Sequence, residues 1–420
     1  MLKSLTGRVF QRDQSSFLAG AALAQLLPFL AAPLLVRLYS PEAFGNYAVF
    51  AAFVAITSTA SAFAVHNAIL IERENASAMQ VAAFALVISA ASGLALLALV
   101  YALPTAWLIW ALGDKVLRYL PYAALTVTFS GTLLTIYTWQ VRRAFYPLLA
   151  RSKIAQGITM VTVQIVCGFA GMGTAGMVVA SILGFAAGLL TLLPTFVRDY
   201  RQFDVRISRA AGASLLRRHH RLPLFTVPAQ LVNAVGSQLP ELLINKLFGP
   251  SVLGQYSLAN RVINQPLSFI STAVQDIFRQ KASQELRDHG TCSRTFIAFL
   301  GFMTLAAAGI IGPLTLLAPR VFAFLFGEQW LQAAHMAQAL AFLLAVRFVS
   351  SPLSYVWIMR NKQSQDLLWQ LGLMAIAAGS FVGAYLALPN ASPTTIIFVY
   401  SGLTGLWYVL CLAFSYRYAR

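Results

Sequence analysis

Arg37-Leu38-Tyr39-Ser40-Pro41-Glu42-Ala43-Phe44-Gly45-Asn46-Tyr47 is answered 209 positions later by Lys246-Leu247-Phe248-Gly249-Pro250-Ser251-Val252-Leu253-Gly254-Gln255-Tyr256. The shift superimposes Pro41 on Pro250, Gly45 on Gly254 and Tyr47 on Tyr256, and heads each copy with a basic residue. Each copy follows one long apolar segment and opens another. In a chain of 420 residues, such a pair about half the length apart marks two halves built to one plan. Leu112-Gly113-Asp114-Lys115-Val116-Leu117 and Phe326-Gly327-Glu328-Gln329-Trp330-Leu331 extend the repeat.

Composition places those halves in a membrane. Charged residues are 10% of the chain and hydrophobic residues 59%, against roughly 25% charged in soluble domains. A soluble protein this apolar could not cover its own surface, which excludes the soluble multidomain enzymes. The 30 Lys and Arg against 13 Asp and Glu give a net charge of +17. In a membrane protein, basic residues of this kind mark cytoplasmic loops and not a nucleic-acid partner. Cys167, Cys292 and Cys411 have no metal-ligand or disulfide spacing.

About 20 apolar residues cross the hydrocarbon core as a helix. Twelve segments qualify: 16–36, 44–69, 79–102, 119–140, 154–172 and 175–197, then 222–245, 251–278, 295–317, 334–358, 367–388 and 394–416. The first is longer than a signal-peptide core and reads as a retained span bent by Pro28 and Pro33. Charge placement tests this topology. Arg37, Lys115, Arg118, Lys246 and Arg320 fall on one side, Arg261 and Arg347 inside spans, and every other Lys and Arg on the side of the N-terminus. Both termini are therefore expected in the cytoplasm.

The expected fold is an all-α polytopic membrane protein, with twelve transmembrane helices in two six-helix lobes. An even number of spans per lobe makes the repeat parallel, with a pseudo-two-fold axis along the membrane normal. The lobes are 1–205 and 206–420, joined by a basic cytoplasmic linker at about 198–221. The linker's Arg217-Arg218-His219-His220-Arg221 suits contact with anionic lipid headgroups.

Polar residues inside the spans must face a cavity or another helix, because hydrocarbon satisfies none of their hydrogen bonds. Ser257, Arg261, Asn264, Ser268, Ser271 and Gln275 recur at helical spacing on one face of the eighth span. Thr226, Gln230, Asn233, Ser237, Glu241 and Asn245 do so on the seventh. Arg261 lies about 15 Å, at helical rise, from the end of its span. An arginine at that depth costs a few kcal/mol unless it meets water or an anion. It is a candidate phosphate anchor through paired guanidinium donors, or alternatively a structural partner of Glu241. Glu241 is itself a candidate ion-pair partner or proton-coupling carboxylate. Arg347 shares a face with Ser350, Ser351 and Ser354, which suits cavity lining or helix packing. In the first half all acids, including Glu42, Glu72, Asp114 and Asp199, fall in expected loops. Its intramembrane polar groups are Gln25, His66, Asn67, Gln140 and Gln164, and His66 sits near a span end where a local contact or titration is open to it. Walker loops, HExxH and GxSxG are absent from the chain. No catalytic residue, cofactor or metal site is indicated.

Val36-Arg37-Leu38-Tyr39 with the motif that follows it, Glu72-Arg73 after the second span and Phe326-Gly327-Glu328-Gln329-Trp330 before the tenth resemble Wzx-type polysaccharide flippases. These belong to the multidrug/oligosaccharidyl-lipid/polysaccharide exporter superfamily, and the resemblance covers essentially the whole chain. It implies a bacterial inner-membrane flippase that moves an undecaprenyl-diphosphate-linked oligosaccharide, such as an O-antigen repeat unit, by alternating access through a central cationic cavity. It also implies membrane lipids, a glycan polymerase and a chain-length regulator as partners. Arg261 and Arg347, with Asn264, Gln230 and Asn233, are the expected substrate contacts; Arg37 and Lys246 would line the outer mouth. The rivals are a cation-coupled multidrug exporter, a peptidoglycan-precursor flippase, and a membrane glycan polymerase or glycosyltransferase. The drug exporter calls for deep acids that the first half lacks. The enzymes call for a large external loop that is missing here.

Overall fold

The computed structural model describes residues 27–203, 215, 217–220, 222–360 and 362–420. Among these residues the chain is helical and holds no strand. Its internal contacts divide it into two compact units, 1–238 and 239–420. The expected lobe boundary at 205/206, like Gln25, lies outside the described residues.

In the first unit a helical turn at 27–30 breaks at Ala31 and resumes as α1 (Ala32–Leu38), with Pro33 in its first turn. Then come α2 (Pro41–Ser58), α3 (Ala68–Ile71), α4 (Asn75–Ala102), α5 (Thr105–Leu112), α6 (Asp114–Leu117), α7 (Leu120–Arg142), α8 (Tyr146–Phe169) and α9 (Thr174–Gln202). Helix α10 (Val227–Phe248) straddles the division between units. The second unit continues with α11 (Pro250–His289), α12 (Ser293–Phe326), α13 (Leu331–Leu353), α14 (Val356–Met359), α15 (Gln363–Ala387) and α16 (Pro393–Ala419).

The boundaries follow local chemistry. Pro41, Pro250 and Pro393 stand in first turns, where a missing N–H costs nothing. Ser40 and Ser392 cap α2 and α16 by accepting from the Ala43 and Thr395 amides. Gly113 and Gly327 end α5 and α12 at φ 93° and 91°, a conformation open to glycine almost alone.

Among the described residues, seven helical stretches are long and apolar enough to cross a membrane: α4, α7, α9, α12, 328–359 (α13 and α14), 364–387 in α15, and α16. The other long helices carry more polar residues: Glu42 and Asn46 in α2, Arg151 and Lys153 in α8, Glu241 and Lys246 in α10, and the Arg261 face of α11.

Each unit packs around one central helix. In the first, α7 contacts α2, α4 and α9, and α9 also packs on α8. In the second, α13 contacts α11, α12 and α16, and α16 also packs on α15. Trp139 and Ile136 of α7, Met79 of α4 and Leu192 of α9 are fully buried in the first core. Phe278, Phe296, Phe322 and Trp330 are fully buried in the second. Large apolar side chains such as Leu94, Phe169, Leu316, Phe324 and Leu386 stay exposed, as lipid-facing residues do.

Two local expectations are corrected. The span expected at 44–69 is not one helix: α2 stops at Ser58, Phe63 and Ala64 adopt left-handed φ of 45° and 55°, and a 3₁₀ turn over Val65–Asn67 precedes α3. The hydroxyls of Thr57, Thr59 and Ser61 donate to the carbonyls of Phe53, Ile56 and Ser58, competing with helix continuation. Asp199, expected in a loop, lies in α9, which runs on to Gln202 and buries it completely. There Trp139 Nε1 donates to Asp199 at 3.1 Å, and Arg143 and Arg198 approach it at 3.5 and 3.6 Å. A buried carboxylate needs such partners.

Candidate functional site

The polar stripe of α11 is a physical face of that helix. Leu258, Ala259, Val262, Ile263 and Leu267 are buried in the second unit's core. Ser257, Arg261, Asn264, Ser271 and Gln275 are half-buried and Ser268 is exposed. The Arg261 guanidinium acts electrostatically on Glu241 of α10. Among the described residues no ion pair within 4 Å joins the two and no hydrogen bond from the Arg261 side chain occurs. Its donors remain available to an anion.

Arg347 is exposed on α13, while Ser350 of its expected face is buried. Its charge acts on three tyrosines: Tyr256 of α11, and Tyr400 and Tyr408 of α16. Glu241 also acts on Tyr256. The second unit thus gathers Glu241, Tyr256, Arg261, Arg347, Tyr400 and Tyr408 into one electrostatic neighbourhood, with Asn264 one turn along from Arg261. The tyrosines were absent from the sequence-based candidates. The signal for two of them was the run Tyr400, Thr404, Tyr408, Cys411 and Ser415, which repeats at helical spacing along α16.

The remaining candidates are distributed. Gln230 and Asn233 are exposed on the part of α10 that belongs to the first unit. Arg37 and Lys246 are exposed in the last turns of α1 and α10, each just before a repeated turn. His66 is buried in the 3₁₀ turn with Nδ1 unpaired.

At the Glu72 end of the first unit, Arg142 clamps the segment after α3. It donates to the carbonyls of Ile69, Glu72 and Arg73 at 2.7, 2.6 and 3.2 Å and to Asn75 Oδ1 at 3.1 Å. His219 Nε2 bonds Glu72 at 2.8 Å and Arg218 approaches it at 3.4 Å. Burial pushes the Glu72 carboxyl up, but hydrogen bonds from His219 and Arg218, with their charges, outweigh it and hold the group below its ordinary value. This part of the expected linker is tied to protein, which narrows the lipid-contacting reading of Arg218 and His219.

A family model described as "Polysaccharide biosynthesis protein" matches residues 34–335. The succinoglycan biosynthesis transport protein ExoT of Rhizobium meliloti (strain 1021) is 24% identical over 376 residues, 89% of this chain and 73% of that protein. The teichuronic acid biosynthesis protein TuaB of Bacillus subtilis (strain 168) is 22% identical over 177 residues, 42% of this chain. That match spans only 36% of TuaB's own length. Among solved structures, the lipid II flippase MurJ in an inward closed conformation superimposes with a TM-score of 0.70 at 13% identity, covering 97% of this chain and 87% of that one. An inward-facing multidrug resistance MATE family transporter of the MOP superfamily gives 0.67 at 13% identity, covering 93% of each chain. These likenesses establish the fold, and the family match bears out the resemblance to Wzx-type flippases.

Proposed function

The chain belongs to the polysaccharide biosynthesis protein family, and from that premise we propose that it flips a polyprenyl-diphosphate-linked oligosaccharide across the bacterial inner membrane by alternating access. The observation that carries this reading is Arg261: a half-buried cation on the polar face of α11, within electrostatic reach of Glu241 but not in direct contact with it. A diphosphate supplies the anion that such a group calls for. Asn264 and Tyr408, both half-buried, offer hydrogen-bonding groups to sugars, while the polyprenyl tail stays in lipid. Arg347 adds a second positive charge to the headgroup's path, and Gln230 and Asn233 offer further amides. Arg37 and Lys246 stand where headgroup phosphates meet the exit. The full complement of twelve spans, the parallel repeat, cytoplasmic termini, and the polymerase and chain-length regulator as partners all belong to this proposal.

The same fold serves multidrug transporters, so the test must separate the two activities. The protein is reconstituted in liposomes with a lipid-linked oligosaccharide, and an external glycosidase reports the fraction that has crossed. Wild type raises that fraction, and Arg261→Ala, purified as a monodisperse protein, returns it to the protein-free level. Unchanged flipping by that variant would reject Arg261 as the anchor. Absence of flipping by wild type alongside export of an organic cation would reject the flippase itself.

A further inference from the structure

A cavity of about 510 Å³ opens at the corner of the first unit where the start of α2 meets the Asp114–Arg118 turn and the start of α9. Its polar lining includes Ser40, Glu42, Asn46, Asp114, Lys115 and Arg118. Lys115 bonds Glu42, and the Lys115 amide donates to Asp114 Oδ1 at 2.8 Å. Asn46 is 6% exposed and lines the cavity, yet its side chain has no hydrogen-bond partner among the described residues. The amide therefore keeps its hydrogen-bonding capacity for a ligand in this cavity.

Charge and depth identify the ligand. Two carboxylates and two cations face one space, so the site is balanced and suits a zwitterion better than a bare anion. Tyr101, Trp107, Trp110 and Tyr122 are exposed on α4, α5 and α7, the helices that bracket the Asp114–Arg118 turn. Exposed tyrosine and tryptophan of this kind sit at the level of lipid headgroups. We propose that this corner binds the phosphoethanolamine headgroup of a membrane phospholipid, its ammonium on Glu42, Asp114 and Asn46 and its phosphate on Arg118 and the start of α9. A primary ammonium carries N–H donors for two carboxylates and an amide oxygen, whereas choline carries none. A glycerol headgroup brings the phosphate but no ammonium for Asp114, since the Lys115 ammonium serves Glu42. The start of α9 contributes Gly173 and Thr174 to the lining, and a helix start favours phosphate.

The full chain in detergent is mixed with dioleoyl phosphatidylethanolamine, phosphatidylcholine or phosphatidylglycerol at equal concentration, and bound lipid is counted by native mass spectrometry. Phosphatidylethanolamine adducts should exceed those of either other lipid roughly tenfold, the worth of one charge-assisted hydrogen bond. Free phosphoethanolamine should compete them away. The double variant Glu42→Gln with Asp114→Asn should reduce phosphatidylethanolamine to the phosphatidylcholine level, and Arg118→Ala should weaken all three lipids. Equal retention of phosphatidylethanolamine and phosphatidylcholine by wild type would overturn the proposal, and so would preference for phosphatidylglycerol. Undiminished phosphatidylethanolamine binding in a folded double variant would do the same. The lipid series on wild type decides the matter even if the variants do not fold.

Discussion

The two repeated corners share a backbone and differ in what holds them. In the first unit α2 packs on α6, the turn beginning at Asp114; in the second, Gln255 of α11 bonds the segment that begins at Glu328. Gly113 and Gly327 set the same dihedral angles before each turn, and Val116 and Trp330 are both buried behind it. The first corner is then joined by the exposed Lys115–Glu42 pair and leaves Asn46 unpartnered over a cavity. The second is joined by Gln255, which replaces Asn46 in the repeat: its amide donates to the Gln329 carbonyl at 2.7 Å and accepts from the Ala333 amide at 3.0 Å. One added methylene lets the amide reach main chain. The glycine-dependent frame recurs at both corners, while side-chain length decided which corner is sealed and which stays open.

The steepest test of that contrast is Trp330→Ala against Val116→Ala. Trp330 is fully buried, and its loss should cost about 3–5 kcal/mol; the smaller Val116 side chain should cost less. Thermal unfolding of the purified variants ranks them, and equal shifts would mean that the second corner is no more tightly packed than the first. Next comes the amide. Gln255→Leu strands one carbonyl and one amide at about 1–3 kcal/mol each, whereas Asn46→Leu strands no main-chain group and should shift the melting temperature far less. A large loss from Asn46→Leu would show a structural partner and close the distinction. The smallest contrast between the corners should come from the shared frame: Gly113→Ala and Gly327→Ala should each cost about 1–3 kcal/mol through strain. The space beside Gly327 is open, so strain is its only cost. Unequal penalties would show that the two turns are not equivalent.

Legibility varied with how local the controlling interaction was. The repeat, its turn glycines and the Arg261 face follow from sequence spacing, and the helices reproduce that spacing. The break after Ser58 was missed because hydropathy runs on through Ala60–Ile71, while neighbouring hydroxyls and packing of the 3₁₀ turn on α4 and α7 stop the helix. Asp199 was misplaced because its partners Trp139 and Arg143 lie about 60 positions away in the chain. The Glu72–His219 contact spans 147 positions, so nothing in either segment announces it. The tyrosines near Arg347 are not legible in the sequence because single-helix polarity does not show which charged residue faces them across a helix pair.

By itself the sequence determined that this is a helical membrane protein with one turn motif repeated 209 positions apart. Hydropathy, charge placement and glycine positions act along a few consecutive turns, and water and lipid sort them whatever the distant chain does. Only the tertiary structure decided which polar groups are satisfied. Asp199 accepts from Trp139, Glu72 is tethered, Gln255 is spent on main chain, and Asn46 and Arg261 are left with capacity to spare. Hydrogen bonds and ion pairs act over a few ångströms between residues far apart in the chain, so whether a buried group has a partner is settled only when the helices pack.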